Sequence, residues 1–242
     1  MVKVAAAQIS VTRNTKKNLD KITEYIKKAA YKKVDIICFP ETALVHSKNE
    51  KHIKNTPIKK YISIIRKSCE KNKLHCIFGT NFLDRNKIYN SAFFINDKGK
   101  IIYRYDKVNL WINERKDKIT GRKNNVVKTK FGKIGIIICW DIAYPEYVKK
   151  LGKQGAWIIF CPSYVVNYKR ELDSYEQLPY ARAFENSAYF VYVDAYAKDT
   201  VKCSYICSPS KIYSKIRGKE GLIAANLDHR KILGLRKRYR LV

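Results

Sequence analysis

A chain of 242 residues with 46% hydrophobic and 12% aromatic residues is long enough to bury a substantial core, and its seven scattered Cys lack the dense spacing of a disulfide scaffold, so reduced thiols are expected. The 50 Lys+Arg against 21 Asp+Glu give a net charge of +29, a surface expected to attract polyanions non-specifically and with strong salt dependence. No apolar run approaches the length needed to cross a bilayer, and Val4 to Ile9 is too short for a signal-peptide core, so the expectation is a cytoplasmic protein without membrane contact.

Strand-like and helix-like segments alternate along the chain. Val2 to Ile9 reads as a strand, and Thr15 as the cap of a helix through Tyr31, with Leu19, Ile22, Ile26, Ala29 and Ala30 spaced three to four apart. Asp35 to Phe39 reads as a buried strand stopped by Pro40-Glu41. Thr56-Pro57 then suggests a cap with proline at the first helical position, ahead of the stripe Ile58, Tyr61, Ile62, Ile65 and Cys69. Strands follow near Leu74 to Gly79, Tyr89 to Ile95 and Lys100 to Tyr105, the last two joined by Asn96-Asp97-Lys98-Gly99, which is hairpin chemistry.

A second hairpin at Lys130-Phe131-Gly132-Lys133 feeds the apolar strand Gly135 to Ile138, which delivers Cys139. Beyond it, Pro145 to Leu151 reads as a helix ended by Gly152, Ala156 to Cys161 as a strand ended by Pro162, and Asp173 to Ser187 as a helix. Tyr189 to Tyr196, Ser204 to Ser208 and Leu222 to Leu227 complete the strands, while Arg236 to Arg240 reads as a basic, solvated or interface tail. No Gly/Ser/Pro-rich linker divides the chain, so residues 1–242 are expected to form one α/β domain with mixed sheets and helices on the outer faces. The lysine pairs, such as Lys16-Lys17 and Lys149-Lys150, fall on the polar sides of these helices, as solvated faces do.

Ligands in open α/β sheets gather beyond the carboxyl ends of strands. Four expected strands end in chemically loaded residues: Phe39-Pro40-Glu41, Tyr105-Asp106-Lys107, Ile138-Cys139 and Cys161-Pro162-Ser163. Each residue alone has a structural explanation, but together they meet a need. A thiol is only partly ionised near neutral pH, so it requires a base to take its proton and a cation to steady the charge that develops. Glu41 suits the first task and Lys107 the second, with Cys139 as nucleophile. Cys203 and Cys207 lack paired CxxC spacing and alternate like a strand, which argues against zinc. No metal or cofactor is expected.

Phe39-Pro40-Glu41, the run Tyr105 to Trp111, and the run Gly135 to Asp141 with Pro145-Glu146 resemble the three signature blocks of the nitrilase superfamily of carbon-nitrogen hydrolases. The likeness extends to Val4 to Gln8, Ala181 to Asn186 and Ser204 to Pro209, nearly the whole chain. It implies a four-layer α-β-β-α sandwich with two mixed β-sheets, pairing into a homodimer or a higher homo-oligomer, and a Glu-Lys-Cys triad. It also implies a second active-site acid at Glu114, although Thr120-Gly121 nearby stands where Pro-Gly is common in the family. The expected reaction is hydrolysis of a small amide or carbamoyl compound through a thioester on Cys139. Lys107 and the backbone N–H of Trp140 would then stabilise the oxyanion. Trp140 and Tyr164 are candidate pocket walls, Arg182 and Glu185 a structural pair, and the loops Val45 to Thr56, Ile112 to Asn124 and Val165 to Ser174 are where substrate choice is expected to lie. Two alternatives stay open: amide or acyl transfer, in which another acceptor attacks the thioester, and a basic nucleic-acid-associated protein that uses the same fold as scaffold.

Overall fold

The computed structural model describes residues 1–46, 50–122, 126–167, 173–240 and 242. Its first half runs β1 (Val2–Gln8), α1 (Thr15–Tyr31), β2 (Ile36–Cys38), α2 (Glu50–Asn55), α3 (Ile58–Lys71), β3 (His75–Asp84), β4 (Lys87–Ile95) and β5 (Ile101–Asp106). Its second half runs β6 (Val127–Thr129), β7 (Gly132–Ile136), α4 (Pro145–Lys153), β8 (Ile158–Pro162), α5 (Leu178–Glu185), β9 (Tyr189–Val193), β10 (Cys203–Cys207), β11 (Ile212–Arg217), β12 (Gly221–Leu227) and α6 (His229–Tyr239).

The strands form two six-stranded mixed sheets, ordered β12-β1-β2-β3-β4-β5 and β11-β10-β9-β8-β7-β6. Both repeat one pattern of orientations. In the first, β1, β2 and β3 are parallel, with β12 antiparallel on one flank and β4 and β5 on the other. In the second, β7, β8 and β9 are parallel, flanked by antiparallel β6 and by β10 and β11. By this correspondence β2 matches β8. The residues just past their ends meet, Glu41 N–H donating to the Ser163 carbonyl at 3.3 Å, so the junction of the two sheets lies at two equivalent carboxyl ends.

Alternation along the strands builds the layers. Val4, Ala6, Ile36 and Cys38 join the large cluster shared with the second sheet, whereas Ala5, Ala7, Ile37 and Phe39 pack with Leu19, Ile22 and Ile26 of α1 and Ile62 and Ile65 of α3. A side-chain period of two thus presents one face of the first sheet to the other sheet and the opposite face to helices. Val148 and Leu151 of α4, Ala183 of α5 and Ile232 of α6 cover the far side. The result is the expected α-β-β-α sandwich. Among the described residues no helix is long and apolar enough to cross a membrane.

Several boundaries differ from the sequence expectation for definable reasons. The cap of α1 is Asn14, whose side chain accepts from Lys17 N–H at 3.0 Å, one residue ahead of Thr15. Pro57 itself occupies the cap of α3, and Thr56 turns back to donate to the His52 carbonyl at 2.7 Å. β3 runs on to Asp84, into a tight hairpin at Arg85 and Asn86, whose φ values of 46° and 61° suit its turn. The helix expected over Asp173 to Ser187 splits into a 3₁₀ segment, Asp173–Gln177, and α5, with Pro179 in its first turn. Neither β11 nor α6 was expected. The basic tail is the end of α6, and Arg236 turns its guanidinium inward onto the carbonyls of Ala156, Asn186 and Ser187.

Candidate active site

Glu41 reaches the site because the chain leaves β2 through Pro40 into a turn pressed against β3. Gly79 of β3 donates its N–H to the Pro40 carbonyl at 3.1 Å. A methyl group added there would lie 2.6 Å from both Glu41 Cα and Thr42 N, closer than any carbon tolerates against backbone. Gly79→Ala should therefore push the Glu41 turn outward. A displacement of about 1 Å can cost on the order of 100-fold in rate, and overpacking costs about 1–3 kcal/mol. Turnover measurements and a thermal melt on the same preparation check both effects.

Lys107 follows β5, and its backbone is tied on both sides: its N–H donates to the Asn90 carbonyl at 2.8 Å, and its own carbonyl accepts from Gly121 N–H at 2.8 Å. Gly121 is the one residue type that fits. A Cβ there would fall 1.9 Å from the Asp106 carbonyl oxygen, so the loop that departs from the family pattern at Thr120 keeps the glycine it needs. The ammonium of Lys107, 1% exposed, donates to Glu41 Oε1 at 2.8 Å and to Glu114 Oε2 at 2.7 Å. Asn90 Nδ2 joins the same two acids, at 2.6 Å to Glu41 Oε1 and 2.6 Å to Glu114 Oε1. The remaining Glu41 oxygen, Oε2, accepts the Tyr164 N–H at 2.9 Å. Glu114 Oε2 accepts a further bond from Trp111 N–H at 3.0 Å, which anchors it to its own turn.

Cys139 closes the arrangement. It leaves the extended Ile137-Ile138 segment and opens a 3₁₀ turn, Cys139–Ala143, with φ of 44°, a left-handed conformation that non-glycine residues hold only under constraint. Two constraints are visible. Asp141 reaches back to accept Ile138 N–H at 2.9 Å, and it is itself held by Tyr105 Oη at 2.7 Å and Asn109 N–H at 2.8 Å. Tyr175 Oη donates to the Cys139 carbonyl at 2.8 Å and stands 4.0 Å from Sγ.

The electrostatics join these groups. Burial pushes the Cys139 thiol well above its ordinary range and the Glu41 carboxylate pushes it further, while Lys107 and the Tyr164 N–H pull the other way. Burial alone would lower the Lys107 pKa, but Glu41, Cys139 and Glu114 reverse this and hold it well above its usual value. Burial likewise opposes ionisation of Glu114, and Lys107 overcomes it, leaving the acid below its ordinary range. The resting arrangement is an ammonium locked between carboxylates, facing a protonated thiol. Such a thiol becomes a nucleophile only when a base takes its proton during attack.

The side chains of Glu41, Lys107 and Glu114 are thus brought into direct contact, with Cys139 within electrostatic reach of the first two. Trp140 follows the nucleophile, but its ring packs edge-on against Trp111 at 4.4 Å and stacks on Tyr175 at 6.0 Å. Tyr164 touches the acid through its backbone, and its ring stacks on His46 at 4.4 Å. Arg182 and Glu185 pair at 2.8 Å, away from the cluster, while the Arg182 guanidinium also holds the Ile142 carbonyl at 2.9 Å. Of the loops expected to choose substrate, residues 47–49, 123–124 and 168–172 lie outside the described residues, and α2 occupies much of the first. Sequence reasoning missed Asn90, Tyr175 and the role of Asp141.

Comparison with known proteins places this geometry in context. Residues 3–232 match the family model described as carbon-nitrogen hydrolase. A probable hydrolase, nit2, of Schizosaccharomyces pombe is 33% identical over 94% of this chain and 92% of its own length. A deaminated glutathione amidase of Dictyostelium discoideum is 28% identical over 78% of this chain and 72% of its own length. Among solved structures, Saccharomyces cerevisiae Nit3, a member of branch 10 of the nitrilase superfamily, superposes with a TM-score of 0.89 at 23% identity, covering 100% of this chain and 95% of that one.

Proposed function

The chain belongs to the carbon-nitrogen hydrolase family of the nitrilase superfamily, and we propose that it hydrolyses a small amide or carbamoyl compound through a thioester on Cys139. The observation that carries this reading is the buried cluster in which Lys107 bonds Glu41 and Glu114 while Cys139 feels both Glu41 and Lys107.

In the first half-reaction the Cys139 proton passes to Glu41 as Sγ attacks the carbonyl carbon. Glu41 Oε1 already accepts from Lys107 and Asn90, so Oε2 is the oxygen with capacity left for the proton. An ammonium has three N–H donors. Two of those on Lys107 hold carboxylates, and the third meets the developing oxyanion together with Trp140 N–H, which sits in the first turn of a 3₁₀ helix where backbone donors lack intrahelical partners. Collapse of the tetrahedral adduct expels ammonia or an amine, which leaves with the proton from Glu41. Glu41 then takes a proton from water, the hydroxide adds to the thioester, and Cys139 is released as the thiol with the acid product. Glu114 holds the ammonium in place throughout.

The amidase names of relatives such as the Dictyostelium discoideum protein favour an amide over a nitrile. The same reading takes the chain as one domain, working in the cytoplasm with its cysteines reduced and paired into a homodimer through exposed apolar residues such as Phe184 and Leu233. A screen for ammonia release over small amides, carbamoyl amines and nitriles tests the proposal. Turnover of at least one amide or carbamoyl compound is expected, and activity confined to nitriles would overturn the substrate class.

A further inference from the structure

We infer that Asn90 is a positioning residue of the hydrolytic site, fixing Glu41 and Glu114 around Lys107 and selecting which oxygen of Glu41 receives the Cys139 proton. The inference rests on the proposed thioester mechanism and adds to it a residue with no proton to give or take.

Two carboxylates share the Lys107 ammonium in a site almost without solvent, and the further ammonium of Lys118 stands on the Glu114 side, 3.9 Å from its Oε1. Glu41 is 4% exposed, Lys107 1% and Asn90 1%. Like charges held this close repel, and a further cation set between the two acids would hold Glu41 ionised against the proton it must take. A primary amide resolves the conflict, because it carries two N–H donors and no charge. Asn90 directs one hydrogen at each acid, with both contacts at 2.6 Å. The amide's orientation follows from chemistry, since its oxygen facing two carboxylates would be repulsive. That oxygen is buried and without a hydrogen-bond partner, so the side chain is held in place from its donor side.

The backbone makes the placement rigid. Asn90 lies in β4, paired opposite Asn81 of β3, and its carbonyl accepts the Lys107 N–H at 2.8 Å. One residue therefore positions the ammonium through its main chain and both acids through its side chain. With Lys107 and Asn90 both on Oε1, the proton-accepting lone pair is confined to Oε2, beside the Tyr164 N–H that borders both Glu41 and Cys139.

Two readouts test this, one independent of substrate. The first is the rate at which iodoacetamide alkylates Cys139, mapped by mass spectrometry against pH, in the parent and in Asn90→Asp, Asn90→Ser and Glu41→Gln. The second is kcat/KM against pH for the best amide. Asn90→Asp keeps the shape of the side chain but replaces two donors with a third carboxyl beside Lys107, Glu114 and Lys118. It should lower kcat/KM by about 100-fold, as loss of an aligned active-site group does, and move the acid limb of both profiles to higher pH. Asn90→Ser retains one donor at most and should fall between the two, by about tenfold. If Glu41→Gln alters the alkylation profile while both folded Asn90 variants match the parent, the Asn90 assignment is wrong and the mechanism stands. If Glu41→Gln leaves that profile unchanged, the mechanism itself fails. Failure of both Asn90 variants to fold would make the residue a structural core group and would also overturn the assignment.

Discussion

Cys139→Ala should reduce turnover of the best amide to the uncatalysed background while the protein still melts within a few degrees of the parent. The thiol is buried but small, and its removal leaves the 3₁₀ turn held by Asp141 on Ile138 N–H and by Tyr175 on the residue 139 carbonyl, both of which reach backbone atoms. The fold loses little, because a sulfur-sized void costs about 1 kcal/mol. The chemistry loses the atom that forms the acyl bond. Matched measurements of ammonia release and thermal stability decide the point, and activity within tenfold of the parent would remove Cys139 from the reaction.

Lys107→Ala is expected to be nearly as damaging to rate and far more damaging to the fold. Loss of one oxyanion donor costs about 100- to 1,000-fold in turnover. Here the same deletion also strips Glu41 and Glu114 of the cation both lean on, at 2.8 and 2.7 Å, and leaves two carboxylates facing one another in a buried site. Breaking a buried pair in this way typically costs about 3–5 kcal/mol. Lys107→Ala should therefore melt well below Cys139→Ala, and acid should narrow the gap. Glu114 is depressed by Lys107 in the parent, so its stabilising contribution is present above the ordinary carboxylate range and fades as pH falls through its depressed value. The variant lacks that contribution at every pH, so the difference between the two melting temperatures should shrink on acidification. Equal stabilities at neutral pH would show that the ion pairs carry no net weight.

How much of this was legible beforehand depends on the kind of physics each residue uses. Glu41, Lys107 and Cys139 stand at strand ends, where a chemically active residue interrupts an apolar run, and the neighbouring blocks resemble a known family. Those signals are local, and so they survive in a linear reading. Asn90 and Tyr175 act through contacts 49 and 36 residues away in sequence, and nothing near them distinguishes a positioning amide or phenol from a strand interior or a helix start. Helix α6 was read as a tail because Arg236, Lys237, Arg238 and Arg240 dominate its composition. Arg236 is instead half-buried against three carbonyls, a role available to a long side chain whose stem is apolar and whose head donates along a fixed fork. Sixteen lysines lie on α1 to α4 and α6 and others on strands and turns, so the charge is spread along the chain and not gathered on one element.

Rapid mixing of the enzyme with its best amide, followed by an acid quench and peptide mapping, puts the central claim to the shortest test. The acyl fragment should be found on the peptide containing residue 139, should disappear as ammonia release is completed, and should be absent from Cys139→Ala. Full turnover with no acyl mass on that peptide at any time, or with the label on one of the other six thiols, would contradict the account.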